Sequence, residues 1–336
     1  MKSHHRSVVL ASLAADALAL GAHWIYDTRQ IDAQIGRVDA LRAPLPTSFH
    51  KTKTRGDLTH YGDQTLVLLN ALAESGGFSV DVFARMWRDL FADDSKGYRD
   101  HATKETLKQF EAGRPLADIG SSSSDLGGAA RIAPLVYFYQ NDMDTMLAAV
   151  RQQTAMTHRN SDVIDSALFF AQVTAAVLRG KEPTVALQNV ARLSFDRHPF
   201  KQWVSEGLGS HVRDTRAAIG QFGQACDVSA GFPGVVHLIA KYQDNPRDGL
   251  VENVMAGGDS AVRGLLAGMV FGAYSGMDAI DQEWVSDLNG RGAIEHFLEK
   301  MGHPPVSYTH LTLPTTIKPC GCRWGGVRYG WGGGGG

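Results

Sequence analysis

The sequence predicts an all-α protein, folded as a compact, orthogonal array of many helices in a single domain. Apolar residues recur at intervals of three and four over most of the chain, which is the spacing of an amphipathic helix. Few stretches show the strict alternation of a strand, and residues 135–139, LVYFY, are the best of them. The chain is 43% hydrophobic and 20% charged, which is typical of a soluble globular protein with a large core.

The predicted helices follow one another from the N-terminus with polar connections between them. They cover residues 6–20, 63–75, 79–92, 102–112, 143–155, 162–179, 183–193, 199–206, 212–222, 232–243, 246–256, 260–275 and 291–301. Glycine, serine and proline separate the helices, as in GSSSSDLGG at 120–128. We find no fixed repeat period along the chain.

The first predicted helix, residues 6–20, has two interpretations. A charged start, an apolar run and the letters ALA are typical of a secretory signal peptide. Asp16 interrupts that run, however, and Val9, Leu13 and Ala17 fall at helical spacing. We therefore expect a core helix here. We also expect no apolar run that is long enough and free enough of charge to span a membrane.

Charge and cysteine content exclude several classes of protein. The formal net charge is −2, so the basic excess of a nucleic-acid-binding protein is missing. The three cysteines, Cys226, Cys320 and Cys322, are an odd number and indicate no disulfide framework. We therefore expect a cytoplasmic protein whose partners include neither nucleic acid nor a membrane.

The helical pattern ends near Pro304. The remaining residues lose the periodicity and finish in a run of glycines. Such a composition cannot supply a core. We expect one helical domain over residues 1–303, followed by a disordered or artefactual tail over residues 304–336. A genuine flexible tail is the alternative.

Three acidic residues stand where apolar helices are predicted to begin: Asp63, Asp100 and Asp259. Aspartate is a preferred N-cap, because its carboxylate accepts a backbone N–H and suits the positive end of a helix. Taken alone, each residue is explained as a cap. Asp16 differs because it lies on an otherwise apolar face. A buried carboxylate there is either a structural hydrogen-bond hub or a residue that orients metal ligands.

Small residues form a stripe along the predicted helix 260–275, mostly at every fourth position. They are Ala261, Gly264, Gly268 and Gly272. Residues four apart lie on the same face of a helix, so this stripe predicts the close approach of a second helix.

Two loops offer groups that could bind a ligand. The glycine and serine residues of 121–138 let a backbone approach a ligand, and Arg131 is available for a phosphate. A solvated loop is the alternative. His158 directly precedes a helix that Asn160 or Ser161 could cap, where a lone histidine is more often structural.

The order of these motifs resembles the ADP-ribosylglycohydrolase family from about residue 6 to about residue 280. The shared stretches are ASLAADALALGAHW, HYGDQTLVLL, GYRDHATKETL, GGAARIAPL, THRNSDV and MAGGDSAVRG. The resemblance implies a compact helical fold of that type, with two magnesium or manganese ions in a cleft. It also implies hydrolysis of the N- or O-glycosidic bond between ADP-ribose and a protein side chain or small acceptor.

The sequence departs from the family at the metal-binding runs. The family's Thr-Asp-Asp run corresponds to Gly62, Asp63, Gln64 and Thr65, and its Asp-Thr-Asp-Thr run begins at Asp259 but loses its second acid to Ala261. The resemblance implies metal ligands at Asp63, Thr65, Asp259 and Ser260. The candidate substrate contacts are Gln64, Gly127, Gly128, Arg131, His158 and Arg263. If the resemblance holds, Asp63, Asp100 and Asp259 converge in one cleft, with Asp16 behind the ligands.

The lost acids limit how many ions the cleft can hold. Magnesium takes about six hard oxygen ligands, and two neighbouring ions repel each other unless several carboxylates neutralise them. With at most Asp63, Asp100 and Asp259 available, the sequence predicts one weakly bound magnesium or manganese ion at most, or none. Arg263 would weaken the site further if its guanidinium pointed into the cleft.

Arg263 follows Asp259 by four residues, which allows two interpretations. An i,i+4 ion pair is the simpler one. The alternative is an anion site, because the helices that begin near Gln64 and Ser260 present positive ends to the cleft.

The leading hypothesis is an ADP-ribosylglycohydrolase-like enzyme with a reduced metal site, whose partner is a nucleotide-sugar or an ADP-ribosylated substrate. Asp100 is the predicted base, because Asp63 and Asp259 are better placed as ligands or caps. One alternative is an inactive family member that binds a nucleotide ligand or has a structural, crystallin-like role. The other is an enzyme in which an arginine replaces the metal.

Deletion of residues 307–336 is expected to leave folding unchanged, because this segment has no apolar periodicity to bury. Thermal melting of the full and shortened chains tests this. A fall in Tm of several degrees on truncation would show that the segment packs on the helical domain.

Overall fold

The computed structural model describes residues 2–92, 97–197 and 199–302. Within these ranges helix follows helix without any strand, and β-type pairing is limited to two isolated bridges, Ser121 with His158 and Asp125 with Asp227. The prediction of an all-α fold is confirmed. The expectation for residues 304–336 lies outside the described residues.

The helices agree closely with the apolar periodicity of the sequence. In chain order they are α1 Lys2–Leu20, α2 Thr28–Gln34, α3 His60–Ser75, α4 Val80–Leu90, α5 His101–Glu111, α6 Gly127–Ala130, α7 Ala133–Phe138, α8 Met143–Thr157, α9 Ser161–Leu178, α10 Pro183–Ser194, α11 Phe200–Gly209, α12 Thr215–Phe222, α13 Val228–Tyr242, α14 Pro246–Met255, α15 Ser260–Ser275, α16 Gln282–Ser286 and α17 Arg291–Met301. Single 3-10 turns occupy Leu116–Asp118 and Gly276–Ala279.

The stretch that alternates best, residues 135–139, lies mostly in α7 and is not a strand. Residues Ala133 to Tyr137 of this helix are all buried, and Pro134 occupies its first turn, where a missing N–H costs nothing. A helix buried on every side has no polar face, so its sequence lacks the period that identifies a helix.

Helices α1 and α15 form the centre of the core and run antiparallel. All of α1 from Ser7 and all of α15 up to Ala273 is buried. The predicted glycine stripe faces α1: Cβ atoms at Gly272 and Gly268 would lie 2.2 Å from the carbonyl oxygen of Ser7 and 2.7 Å from that of Ala11. The predicted close approach is confirmed.

The other helices surround this pair. Helix α3 packs against α4, α7 and α17, while α13 packs against α11, α12, α14 and α15. Helix α9 lies between α8, α10 and α15. The first turns of α3 and α15 are buried, so side chains there face the interior.

Helix α9 is an exception to the expectation about membrane spans. It has the length and apolar composition to cross a membrane, but 61% of it is buried inside the fold. Core helices of soluble proteins share these properties, so α9 is weak evidence for a membrane span.

The acidic residues at the helix starts have different local roles. Asp100 caps α5 by accepting from Thr103 N, and Asp259 caps α15 by accepting from Val262 N. Asp63 is not a cap, because α3 begins before it and Thr59 caps that helix through Tyr61 N.

Replacement of Gly272 by alanine is expected to lower the free energy of unfolding by about 1–3 kcal/mol, because the new Cβ must displace the α1 backbone. Gly220→Ala is the matched control. Gly220 lies inside α12 with nothing within 4 Å of an added Cβ, and alanine favours the helix there by about 1 kcal/mol. Urea denaturation measures both changes. Unchanged stability of Gly272→Ala would contradict the close contact.

Candidate functional site

Two loops that are distant in sequence hold the first acid of the site. Leu126 N donates to Cys226 O at 2.8 Å, and Val228 N donates to Ser124 O at 2.8 Å. These bonds place Asp125 beside Cys226. Gly127 N then donates to Asp125 Oδ1 at 2.7 Å, which fixes the orientation of the carboxylate.

A glycine turn before α15 holds the second acid. Gly257 and Gly258 have φ values of 72° and 63°, in the left-handed region that only glycine adopts readily. Gly258 N donates to Ile25 O at 2.8 Å, and Asp259 N donates to Gln224 O at 2.8 Å. Asp259 is thereby fixed beside the segment that follows α1.

Asp125 and Asp259 form a buried acid pair, linked by Tyr61. The Tyr61 hydroxyl lies 3.0 Å from Asp125 Oδ2 and 3.1 Å from Asp259 Oδ2. The phenol has one proton and donates to one carboxylate at a time. If both contacts are hydrogen bonds, the other carboxyl group must donate to the phenol oxygen. The geometry therefore favours a pair that shares one proton.

The pKa values of the pair support a shared proton. Burial, followed by the charges of Asp259 and Asp100, raises the pKa of Asp125 from 3.8 to about 7. Burial also raises the pKa of Asp259 above its ordinary value. Two neighbouring carboxylates in a low-dielectric site cannot both ionise easily, so one remains protonated near neutral pH.

Cys226 adjoins the acid pair and does not serve as its nucleophile. Its thiol lies with oxygens of Asp125 and Asp259 in a group whose atoms are all within 4.8 Å of one another. Burial and the two carboxylate charges raise the pKa of the thiol. Since the thiolate is the reactive form, the raised pKa makes this thiol a poor nucleophile at neutral pH.

Next to the acid pair, Asp100 forms an ion pair with a histidine. His60 Nε2 lies 3.3 Å from Asp100 Oδ2, while the other Asp100 oxygen accepts from Thr103 N at 2.6 Å. Burial alone would raise the pKa of Asp100, but His60 lowers it well below the ordinary range. Burial lowers the pKa of His60, but Asp100 raises it, and the net shift is upward.

His60 belongs to a cluster of three buried imidazoles, His23, His50 and His60, which we call the histidine cluster. One nitrogen from each ring lies within 4.8 Å of the others. His50 Nε2 is 3.1 Å from His60 Nδ1, and His23 Nδ1 is 3.8 Å from Asp259 Oδ1. The cluster therefore borders the acid pair.

A surface cleft with aromatic and basic walls leads to the histidine cluster. We call it the aromatic cleft; it has a volume of about 450 Å³, and its walls include Phe49, His50, Lys51, Tyr98, Arg99 and Lys104. The rings of Phe49 and Tyr98 have centroids 5.7 Å apart, and Phe49 is 60% exposed. The exposed ring and the lysines suit a ligand that is both aromatic and anionic.

Two residues of the first metal-binding run, Asp63 and Thr65, already have hydrogen-bond partners within the fold. Asp63 accepts from Lys53 Nζ at 2.6 and 2.7 Å, and burial raises its pKa to about 6 although Lys53 lowers it. Thr65 Oγ1 donates to Tyr61 O of its own helix at 2.9 Å. The metal role of Asp63 and Thr65 stays a prediction, as does that of Ser260, whose buried hydroxyl has no hydrogen-bond partner in the described part of the chain.

Gln64 and Arg131 form a buried hydrogen-bond network. Gln64 Oε1 accepts from Trp87 Nε1 and from Arg131 Nη1, each at 2.7 Å. Arg131 also donates to Gln153 Oε1 at 2.8 Å and to the hydroxyl of Thr157. These contacts use all three nitrogens of the Arg131 guanidinium. Substrate binding by Gln64 or Arg131 stays a prediction.

Arg263 does not form the ion pair that its spacing allows, and its buried Nη1 has no hydrogen-bond partner among the described residues. It is 1% exposed and donates to Asn253 Oδ1 at 2.9 Å and to Gly257 O at 2.5 Å. An ion pair with Asp259 is absent from the salt bridges of the described residues, although each charge still acts on the other's pKa. The side chain reaches past the acid to bind the end of α14 and the glycine turn. A substrate contact by Arg263 stays a prediction.

The other predicted substrate contacts lie in tightly packed surroundings. A Cβ at Gly127 would lie 2.1 Å from a ring carbon of Tyr61, and one at Gly128 would lie 2.6 Å from a ring carbon of His158. Glycine at these two positions therefore lets the rings of Tyr61 and His158 pack against the backbone. His158 Nδ1 lies 2.9 Å from Thr157 Oγ1, and burial lowers its pKa to about 3.

Asp16 holds the start of α3 in position. It is fully buried, and its oxygens accept from Thr59 N at 2.7 Å and from Thr59 Oγ1 at 2.6 Å. Burial raises its pKa to about 7. A Cβ at position 62 would lie 2.2 Å from Asp16 Oδ2, which explains glycine there. Asp16 thus orients the helix that supplies His60 and Tyr61; a role behind metal ligands stays a prediction.

Sequence reasoning missed most of the groups that meet at the site. They are His23, His50, His60, Tyr61, Asp125 and Cys226. The available signals were weak: Asp125 stands in a serine and glycine loop before a helix, and His60 and Tyr61 stand three and two residues before Asp63. Of the three acids expected to converge, Asp100 lies 3.3 Å from His60 and Asp259 lies 3.8 Å from His23. Asp63 is bound by Lys53, and the charge of His60 also acts on its pKa, so the convergence of all three acids stays a prediction.

The chain is similar to known proteins over most of its length. The family model described as ADP-ribosylglycohydrolase matches residues 1–307. Crystallin J1A and crystallin J1B of Tripedalia cystophora are each 22% identical to the chain; the alignments cover 89% and 88% of this chain and 96% and 95% of those proteins. The uncharacterized protein YegU of Escherichia coli strain K12 is 22% identical, over 82% of this chain and 88% of its own.

A solved structure shows the same fold. It is described as an ADP-ribosylglycohydrolase-related protein complex and superimposes with a TM-score of 0.70. The sequence identity is 22%, and the match covers 90% of this chain and 98% of that chain. The predicted fold type and the family resemblance are confirmed.

The raised pKa of Asp125 predicts how stability depends on pH. A carboxyl group with a raised pKa binds its proton more tightly in the folded state, so the free energy of unfolding falls as pH rises from about 4 to about 7. Asp125→Asn removes this titration. The variant is expected to lose less stability over that range, by at most about 1.4 kcal/mol per pH unit.

Urea denaturation at several pH values measures this difference. Asp214→Asn is the matched control, because Asp214 is an exposed cap of α12. A parallel pH dependence in Asp125→Asn and the parent protein would contradict the raised pKa.

Proposed function

Because the chain belongs to the ADP-ribosylglycohydrolase family, we propose that it hydrolyses the glycosidic bond of an ADP-ribose-like or nucleotide-sugar ligand. The observation that carries this proposal is the buried acid pair of Asp125 and Asp259, linked by Tyr61. Glycoside hydrolysis needs a proton donor for the leaving atom and a carboxylate that accepts a proton from water or stabilises positive charge.

A carboxyl pair that shares one proton supplies both groups. The protonated member donates to the leaving nitrogen or oxygen as the bond to the sugar carbon breaks. The ionised member accepts a proton from the attacking water as its oxygen bonds to that carbon. The pair then holds one proton again, as it did at the start. A pKa near neutral pH suits both transfers, and the pKa of Asp125 is about 7.

Asp100 is better suited to orienting His60 than to accepting a proton. Its pKa lies well below the ordinary range because His60 opposes the effect of burial. A carboxylate with such a low pKa is a weak base. The sequence favoured Asp100 as the base. We therefore assign the proton transfers to the acid pair instead.

The described residues do not fit a pair of magnesium or manganese ions. Asp63 is bound by Lys53 and Asp100 by His60, which leaves the acid pair as the available carboxylates. The third group near the pair is the Cys226 thiol, a soft ligand that these hard ions disfavour. Asp125 and Asp259 would hold at most one ion weakly, and no step of the proposed reaction depends on it.

The aromatic cleft suggests the substrate class. An adenine ring can stack on the exposed ring of Phe49 or on Tyr98, and a pyrophosphate carries charge that Lys51 and Lys104 attract. Of the two acids, Asp125 is the more exposed, at 9% against 2% for Asp259, and the neighbouring Cys226 is only partly buried. These features support a nucleotide-sugar or an ADP-ribosylated substrate.

One observation favours a second candidate function, a binding or structural role without hydrolysis. Gln64 stands where the family pattern has an acid, and its side chain is bound by Trp87 and Arg131 as part of the core. Two relatives are crystallins by name. In that case the protein binds the nucleotide ligand and leaves its glycosidic bond intact.

Incubation with ADP-ribosylated peptides tests the proposal. Peptides that carry ADP-ribose on arginine or on serine are incubated with the protein, with and without magnesium, and released ADP-ribose is measured by mass spectrometry. Asp125→Asn and Asp259→Asn are each expected to lower the rate at least about 100-fold, in line with the usual contribution of general acid–base catalysis. Asp214→Asn, which changes an exposed helix cap, is expected to keep the parent rate.

The outcomes separate the two candidate functions. Release that depends on both acids supports the hydrolase. Binding of ADP-ribose without release from any substrate supports the binding role. Release that survives in Asp125→Asn and Asp259→Asn would contradict the acid pair as the catalytic group.

A further inference from the structure

The histidine cluster is not used by the proposed reaction. His23, His50 and His60 come from three separate segments: the turn after α1, the loop before α3 and the first residue of α3. They are 4%, 2% and 1% exposed. Burial of a polar ring is costly, and apolar packing does not explain why three imidazoles are buried together. Their convergence therefore indicates a binding role.

The spacing of the cluster matches a tetrahedral metal site. Zinc binds imidazole nitrogen at about 2.0–2.1 Å, which places two nitrogens of a tetrahedral site about 3.3 Å apart. His50 Nε2 and His60 Nδ1 are separated by 3.1 Å. An ion bound between them would take the place of the proton that they share. His23 offers its nitrogen within 4.8 Å of the other two.

The hydrogen-bonding state of the cluster indicates a missing ligand. Within the described residues, neither ring nitrogen of His23 has a hydrogen-bond partner, and His50 Nδ1 also lacks one. Leaving a buried polar atom without a partner costs about 1–3 kcal/mol. A bond to an ion would satisfy one nitrogen of His23 and offset part of that cost.

One carboxylate lies close behind the His60 ring, and a second lies near His23 but beyond hydrogen-bond distance. Asp100 Oδ2 lies 3.3 Å from His60 Nε2, the nitrogen that faces away from His50, and Asp259 Oδ1 lies 3.8 Å from His23 Nδ1. Histidine ligands of zinc commonly donate their second N–H to a carboxylate, which fixes the ring and increases its basicity. Asp100 is itself held by Thr103 N, so this support is rigid.

Backbone strain beside the histidine cluster is a further indication of a functional site. Trp24 has a φ of 64°, the only positive φ of a residue other than glycine in the described part of the chain. Such strain persists where the surroundings enforce it, and it is concentrated at functional sites. Trp24 N donates to Gly258 O at 2.9 Å, which ties the backbone after His23 to the glycine turn.

We propose that His23, His50 and His60 bind one transition-metal ion of the zinc class, at a site separate from any magnesium or manganese site. Imidazole nitrogen suits zinc, cobalt and nickel, whereas magnesium and manganese prefer oxygen. Three protein ligands leave a fourth position open for water or a ligand atom. His50 borders the aromatic cleft and His23 borders a second cleft lined by Tyr26 and Gln30, so ions have routes to the site.

Zinc binding to the full chain tests this proposal. All proteins carry Cys320→Ser and Cys322→Ser, which removes the two thiols beyond the helical domain, and all keep His4 and His5. Calorimetric titration with zinc is expected to show one site per chain in this parent. His50→Ala is expected to weaken zinc binding at least about 100-fold, since loss of a supporting group alone costs about 10–100-fold. Asp100→Asn is expected to weaken it about 10-fold or more.

His237→Ala is the matched control. His237 is also buried, but it is bonded to Ser210 and Thr215 away from the cluster. It is expected to leave zinc affinity unchanged. Cobalt gives an independent readout if His50→Ala does not fold. A tetrahedral nitrogen site in the parent produces intense visible absorption, whereas an octahedral oxygen site produces weak bands.

Three results would overturn the proposal: no zinc binding by the parent, unchanged binding by folded His50→Ala, or weak octahedral cobalt bands. Loss of zinc in Asp125→Asn with full retention in His50→Ala would assign the ion to the acid pair instead. The proposal does not depend on hydrolase activity, because every readout is binding or spectroscopy.

Discussion

The close antiparallel contact between α1 and α15 is the constraint on which the rest of the structure depends. Glycine at every fourth position of α15 brings its backbone against the carbonyl groups of α1. Because the helices are antiparallel, the end of α1 meets the start of α15. His23, just beyond α1, therefore lies beside Asp259, the cap of α15. The close packing of two apolar helices thus brings together two polar groups that are far apart in sequence.

A second constraint fixes the remaining groups of the site. Asp16, inside α1, accepts both hydrogen bonds from Thr59, so that α3 starts at a set position against the central pair. The next two residues, His60 and Tyr61, then reach the histidine cluster and the acid pair. Two acids of the site have a basic partner: Lys53 pairs with Asp63, and His60 pairs with Asp100. Burial raises both pKa values of the acid pair; the charge of Asp259 raises that of Asp125 further, while the charge of Arg263 lowers that of Asp259.

The sequence predicted the helices well and the site only in part. Long helices with one apolar face carry a clear period, and so α3, α9 and α15 were found almost to their ends. Helix α7 has no polar face and gave a misleading alternation. The glycine stripe was interpretable because a regular spacing has one physical explanation. Asp125 and His50 were missed since they lie in loops, where position depends on backbone pairing with distant segments, such as that of Leu126 with Cys226. Asp63 and Arg263 show the same limit, because their partners, Lys53 and Asn253, could not be inferred from spacing.

The hydrogen bonds of Gln64 limit which residues this position can accept. Its carbonyl oxygen accepts from both Trp87 and Arg131, two of the largest buried side chains. An aspartate at this position is one methylene shorter and would leave the two donors out of reach, at a cost of about 1–3 kcal/mol for each unpaired group. A single change of Gln64 to aspartate therefore lowers the free energy of unfolding unless Trp87 and Arg131 gain other partners. An acid at this position requires compensating changes in the core around it.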